Sequence, residues 1–131
     1  RDGAAGSNSF VNRFLWVRPD GSIEQYDKRH LFRMSGEHEH YGAGSARLVV
    51  EHCGWRICPL VCYDLRFPEL YRRHAEAGAV LLTVPAAFTL MTGKDHWEVL
   101  LRARAIENQA YVIAPAQQGR HPKDRLTWGH A

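Results

Sequence analysis

The stretch Trp55-Arg56-Ile57-Cys58-Pro59-Leu60-Val61-Cys62-Tyr63-Asp64-Leu65-Arg66-Phe67-Pro68 decides the fold. Trp55 to Val61 is mostly apolar and reads as a strand buried on both faces. Pro59 cannot donate to a ladder, which weakens that reading or moves the strand towards an edge. Phe67-Pro68 opens a helix with proline in its first turn. It runs to about Ala77, where Gly78 stops it. Val80 to Val84 is then a continuous apolar strand, the pattern of a sheet covered on both sides. A strand, a helix and a second strand in that order imply an α/β layered domain.

Working outward, Phe10–Val17 and Ile23–Tyr26 are strands joined by the turn Arg18-Pro19-Asp20-Gly21. Residues 1–9 read as a loop or frayed end. Residues 27–45 have no period and read as a long ordered loop, which in a compact domain is usually functional or disordered. Ala46–Glu51 forms a second hairpin with the strand at Trp55, turning at Cys53-Gly54. Residues 96–109 are the clearest helix, and Tyr111–Ala116 the last strand. Val99, Ala103, Ile106 and Ala110 fall on one face of that helix. Glu98 and Arg102 are four apart, placed for an ion pair. Little of the helix is left for solvent, so burial on two sides is expected, with Arg104, Glu107 and Asn108 satisfying one another.

Composition removes several function classes. The chain has 131 residues and a net charge of +3. Residues 1–66 hold nine basic and eight acidic side chains, and residues 67–131 hold eight and six. No basic stripe marks a nucleic-acid binder. No apolar run is long enough to span a bilayer. The three cysteines, Cys53, Cys58 and Cys62, suit neither a disulfide framework nor a zinc site. Free thiols fit a reducing compartment, so a cytoplasmic location is expected.

Cys62 ends an apolar strand just before a helix, at the sheet edge where open α/β sheets bind ligands. It reads either as a core cysteine or as a nucleophile whose thiol and oxyanion are served by nearby backbone N–H groups. Cys53 and Cys58 read as structural. Lys28 reads as a solvated charge or as an ammonium held against a carbonyl oxygen. Glu37, His38, Glu39 and His40 read as a solvated loop rather than a metal site. Asp64 and Arg66 read as a cap and local ion pair or as pocket residues. Phe88, after Pro85-Ala86-Ala87, reads as core or as a pocket wall on the same edge as Cys62.

Three stretches together resemble the nitrilase, or carbon–nitrogen hydrolase, superfamily. They are Tyr26-Asp27-Lys28-Arg29-His30-Leu31-Phe32, Cys62-Tyr63-Asp64-Leu65-Arg66-Phe67-Pro68-Glu69 and Arg102-Ala103-Arg104-Ala105-Ile106-Glu107-Asn108. The likeness runs from about residue 8 to the end. Residues 10–70 most resemble the ω-amidase-like branch, and the second half also resembles the deaminated-glutathione-amidase branch. The resemblance implies an α-β-β-α sandwich, usually homo-oligomeric through packed helices. It also implies a Glu–Lys–Cys triad with no metal or organic cofactor, acting on a small-molecule amide. By motif, Cys62 is the nucleophile, Lys28 holds the oxyanion, and Glu37 falls near the family's second, substrate-orienting glutamate. Tyr63 would give its backbone N–H to the oxyanion, while Arg66 and Phe88 would contact substrate.

The family's general-base glutamate lies well upstream of the lysine, and none of Asp2, Asp20 or Glu24 has that context. Residues 1–131 are therefore expected to be a central portion of a longer domain, inactive alone. The expected activity of the whole is cleavage of a dicarboxylic acid monoamide through a thioester, releasing ammonia. Two other readings stay open. One is a cysteine hydrolase with a Cys–His pair, using His30 or His96. The other is a non-catalytic binding or scaffold remnant of the fold.

Overall fold

The computed structural model describes residues 10–131; the loop expected over residues 1–9 lies outside them. Strand β1 (Phe10–Val11) is followed by β2 (Arg13–Val17) and β3 (Ile23–Asp27), an antiparallel hairpin in which Phe14 faces Tyr26 and Val17 faces Ile23. The turn forms as expected. Gly21 has φ 83° and donates to the Arg18 carbonyl at 2.9 Å, while the Asp20 side chain accepts from the Ser22 N–H and hydroxyl.

The long loop is ordered, as expected, and carries short elements of its own. It contains a 3-10 turn at Arg33–Ser35, the one-turn helix α1 (Glu37–His40) and strand β4 (Tyr41–Gly42), which pairs in parallel with β1. A four-stranded sheet follows, in the order β5 (Val50–His52), β6 (Trp55–Pro59), β7 (Leu81–Thr83), β8 (Tyr111–Ile113). The β5–β6 pair is antiparallel and the other two pairs are parallel. Cys53 and Gly54 both take positive φ, 50° and 79°, the turn whose twist matches a hairpin.

Pro59 does not place β6 at an edge: β6 is an interior strand. The pairing of β6 with β5 ends at Ile57, while Leu60, the residue after Pro59, donates to the Thr83 carbonyl at 2.9 Å. The missing N–H of Pro59 therefore falls on the side where the ladder has already ended.

Helix α2 (Pro68–Glu76) links β6 to β7, and α3 (Leu90–Asn108) links β7 to β8. Parallel strands added in sequence with crossovers of one hand put both helices on the same face, and α2 packs on α3. The core between them and the sheet includes Leu60, Leu70, Tyr71, Leu82, Val84 and Trp97. A last hairpin, β9 (Gln118–His121) with β10 (Arg125–Trp128), returns to α3. There Trp128 seats on Gly93, and the Trp97 indole donates to the His130 carbonyl at 2.7 Å. Among the described residues, no helix is long and apolar enough to cross a membrane.

Three expectations fail here. Helix α3 starts at Leu90 rather than at residue 96. Its expected apolar face is also open, since Val99 is 66% and Ile106 76% exposed. The buried residues are instead Gly93, Trp97, Arg104 and Asn108. Arg104 donates to the Leu65 carbonyl at 3.0 Å and to Glu107 at 2.9 Å, and the Asn108 amide donates to the Arg104 carbonyl. Arg104 and the Asn108 side-chain N–H groups are bonded, so this polar face can take the inner position, although the Asn108 Oδ1 finds no partner among the described residues. The expected Glu98–Arg102 pair forms at 2.7 Å. The sheet's second face is likewise not covered at β8, where Tyr111 and Ile113 are exposed.

Candidate active site

The carboxyl ends of the parallel strands converge. Cys62 follows β6 and donates its N–H to the Pro85 carbonyl beyond β7 at 3.0 Å. Ala86, beyond β7, pairs with Ala116, beyond β8. The strand ends therefore form one edge, as expected for Pro85-Ala86-Ala87 and Cys62. A cavity of about 1010 Å³ opens there, and its wall includes Cys62, Pro85, Ala87 and Ala116. Residues of the first hairpin and the long loop complete it, among them Asn12, Lys28, Phe32 and Glu37. The last hairpin adds His121 and Arg125. Cys62, Lys28 and Glu37 thus line a single cavity.

Cys62 begins a 3-10 turn (Cys62–Arg66) and has φ 49°, a left-handed backbone that costs a non-glycine residue about 1–2 kcal/mol. Such strain persists where the surroundings over-determine it. Burial pushes the Cys62 thiol up from its ordinary value. A hydrogen bond from the Ala87 N–H and the Lys28 charge pull it down, while Glu37 and Asp64 push it up. Cys58 is fully buried, and burial raises its thiol strongly; Cys53 is exposed at its turn.

Lys28 is not a solvated charge: it is 3% exposed. Its Nζ lies 2.8 and 2.7 Å from the two Glu37 carboxylate oxygens. Glu37 also accepts the Phe32 N–H at 2.5 Å and the Asn12 side-chain amide. The Lys28 backbone is held on both sides, its N–H by the Asn12 carbonyl and its carbonyl by the Gly44 N–H.

The other expected site residues sit elsewhere. Tyr63 packs its ring against Phe32 and Phe67. Arg66 lies over the Tyr63 and Phe88 rings and donates to His96 Nδ1 at 3.2 Å. Phe88 is buried against Trp97. None of the three is on the cavity wall. His30 stacks on Phe67, with Nδ1 2.8 Å from Asp64, so both histidines considered as bases are engaged away from the cavity. Among the described residues, no group of three or more His, Cys, Asp or Glu is placed to hold a metal ion. The sequence reading missed Asn12 and the reach of Asp64. No local pattern marks either, because their partners are distant in the chain.

Residues 3–131 match the sequence profile of the family described as carbon-nitrogen hydrolase. The chain belongs to the carbon-nitrogen hydrolase family. It is 60% identical to the omega-amidase YafV of Yersinia enterocolitica over 104 residues, covering 78% of this chain and 39% of the relative. It is 68% identical to the deaminated glutathione amidase of Synechocystis over 141 residues, covering 98% and 51%. The chain therefore spans about two-fifths to half the length of these relatives.

Among solved structures, the C. elegans NitFhit protein superimposes with a TM-score of 0.87 at 44% identity, over 94% of this chain and 32% of that one. A glutamate-to-glutamine mutant of the amidase of Nesterenkonia sp. AN1, carrying the product of Michael addition of acrylamide at its active-site cysteine, superimposes with a TM-score of 0.78 at 28% identity, over 88% and 45%. The α/β architecture is that of this family.

Proposed function

We propose that the whole protein hydrolyses the C–N bond of a small non-peptide amide, of the dicarboxylic acid monoamide type, through a thioester on Cys62. The observation that carries this reading is the single cavity lined by Cys62 and the buried Lys28–Glu37 pair. The omega-amidase and deaminated glutathione amidase relatives, and the cysteine adduct of the Nesterenkonia enzyme, support it.

In this mechanism a general base takes the Cys62 thiol proton as sulfur adds to the amide carbon. The carbonyl pair moves to oxygen, where the Lys28 ammonium and the Tyr63 N–H stabilise the charge. The base returns its proton to nitrogen, the C–N bond breaks and ammonia leaves. Water attacks the thioester by the same steps, releasing the acid and restoring the thiol. Glu37 is poorly suited to be the base, because both its oxygens accept the Lys28 ammonium and the carboxylate also takes the Phe32 N–H and the Asn12 amide. It holds the ammonium, and the general base is a different group. Arg66, held by His96 and the Phe88 ring off the cavity wall, would have to turn into the cavity to reach a distal carboxylate of the substrate.

The protein acts in the cytoplasm, where its three free thiols stay reduced. It assembles as a homo-oligomer through the open Val99–Ile106 face of α3. Ammonia release from short dicarboxylic monoamides by the full-length protein tests the reaction. Cys62→Ala abolishes turnover, and a variant that keeps normal turnover refutes the assignment. Lys28→Met lowers kcat by about 10²–10³ with little change in KM.

A further inference from the structure

We propose that Asp64 is the positioning residue that sets Lys28 against Cys62. This rests on the reading of those two residues as oxyanion holder and nucleophile.

Asp64 has no exposed surface. A lone carboxylate there would be very costly, and it is tolerated only because it is fully bonded. Its Oδ2 accepts the Tyr26 hydroxyl at 2.8 Å and the Val61 N–H at 3.1 Å. Its Oδ1 accepts the His30 N–H at 3.0 Å and lies 2.8 Å from His30 Nδ1.

The origin of these partners is the point. Tyr26 and His30 flank Lys28 at two residues on either side. Val61 immediately precedes Cys62, and Asp64 follows it by two. One side chain therefore joins the segment carrying the lysine to the turn carrying the cysteine, across 34 to 38 residues of sequence. On β3, alternate residues share a face, and Tyr26 and Lys28 are both buried at its end. A shift of the carboxylate carries the ammonium with it, and about 1 Å of misplacement costs on the order of 10²-fold in rate.

The charge of Asp64 gives no other reason for it to be there. It pushes the Cys62 thiol up, against formation of the thiolate. A residue that disfavours the nucleophile electrostatically, yet ties down both partners, contributes through geometry.

The test uses the full-length protein with four variants: Asp64→Asn, Tyr26→Phe, Leu82→Ala and Cys62→Ala. It measures kcat, KM, Tm and the pH dependence of iodoacetamide alkylation, the last read on the Cys62 peptide by mass spectrometry. Asp64→Asn is expected to lower kcat by about 10–100-fold, with KM within about twofold. Its Cys62 alkylation midpoint moves to lower pH, opposite to what a loss of rate through sulfur activation would show. Tyr26→Phe, which removes one bond of the four, lowers kcat by about fivefold. Leu82→Ala weakens the same core without touching the bridge and keeps kcat, assayed well below its Tm.

Parental kcat in both Asp64→Asn and Tyr26→Phe overturns the proposal, as does an equal loss in Leu82→Ala. If Asp64→Asn does not fold, Tyr26→Phe against Leu82→Ala decides. An active Cys62→Ala instead refutes the underlying reaction. An inactive Cys62→Ala beside fully active bridge variants refutes only the role of Asp64.

Discussion

The Lys28 ammonium and the Glu37 carboxylate form a bidentate ion pair, at 2.8 and 2.7 Å, with both side chains nearly closed to solvent. Breaking a buried pair from one side leaves a charge uncompensated, which costs about 3–5 kcal/mol. Lys28→Met and Glu37→Leu alone should each destabilise by about this much. The double variant should lose clearly less than the sum. Urea midpoints for the three variants measure the coupling, and strict additivity would show that the pair does not act as a unit.

The Lys28 charge also lowers the Cys62 thiol, against the opposing effect of burial. Removing it in Lys28→Met should raise the thiol pKa and shrink the thiolate fraction at neutral pH. Cys62 alkylation should then shift to higher pH. A midpoint that stays put or moves down would show that the ammonium does not act on the sulfur.

Gly44 lies against the backbone of the lysine segment. A Cβ there would sit 2.2 Å from the Asp27 carbonyl oxygen, and the Gly44 N–H is bonded to the Lys28 carbonyl. Gly44→Ala should cost about 1–3 kcal/mol or more through overpacking and lower kcat as the lysine segment shifts. Gly21→Ala is the contrast. Gly21 has φ 83° with nothing near its Cβ, so alanine there should cost about 1–2 kcal/mol of backbone strain and leave kcat unchanged. Equal kcat in the two variants would refute the distinction.

His74 is fully buried on α2, and neither ring nitrogen has a hydrogen-bond partner among the described residues. Burial, with the Arg47 and Arg29 charges, lowers its pKa from 6.5 to about 4. The unfolded chain therefore binds a proton at higher pH than the folded one. Stability should fall as pH drops from about 6.5 towards 4, by at most about 3 kcal/mol from this residue. His74→Leu should flatten that part of the acid limb in urea titrations. An unchanged limb would show that His74 does not drive it.

The strand–helix–strand run from Trp55 to Val84 and the first two of the three hairpins were legible because their signals are local: apolar runs, a proline in a first helical turn, glycines at the turns. Cys62 was legible by its place at a strand end. The ion pair of Lys28 was not, because Glu37 lies nine residues on and within a segment that has no period. Asp64 looked like a cap, and it does accept the Val61 N–H as a cap would. Its other partners lie 34 and 38 residues upstream, beyond the reach of any local pattern.

On α3, spacing favoured the wrong face. Val99 and Ile106 repeat correctly, but Arg104 finds the Leu65 carbonyl and Glu107, and the side that carries it turns inward. The first turns of the helix, from Leu90, pack at Gly93 against Trp128, which lies 35 residues further on.

The hold on Lys28 has a thermodynamic consequence. Its backbone is bonded in both directions, and the end of its side chain is bonded to Glu37. A lysine side chain carries up to about 1.5–2 kcal/mol of rotamer entropy. Here that freedom is already lost when the chain folds, so a molecule entering the cavity need not freeze this side chain again.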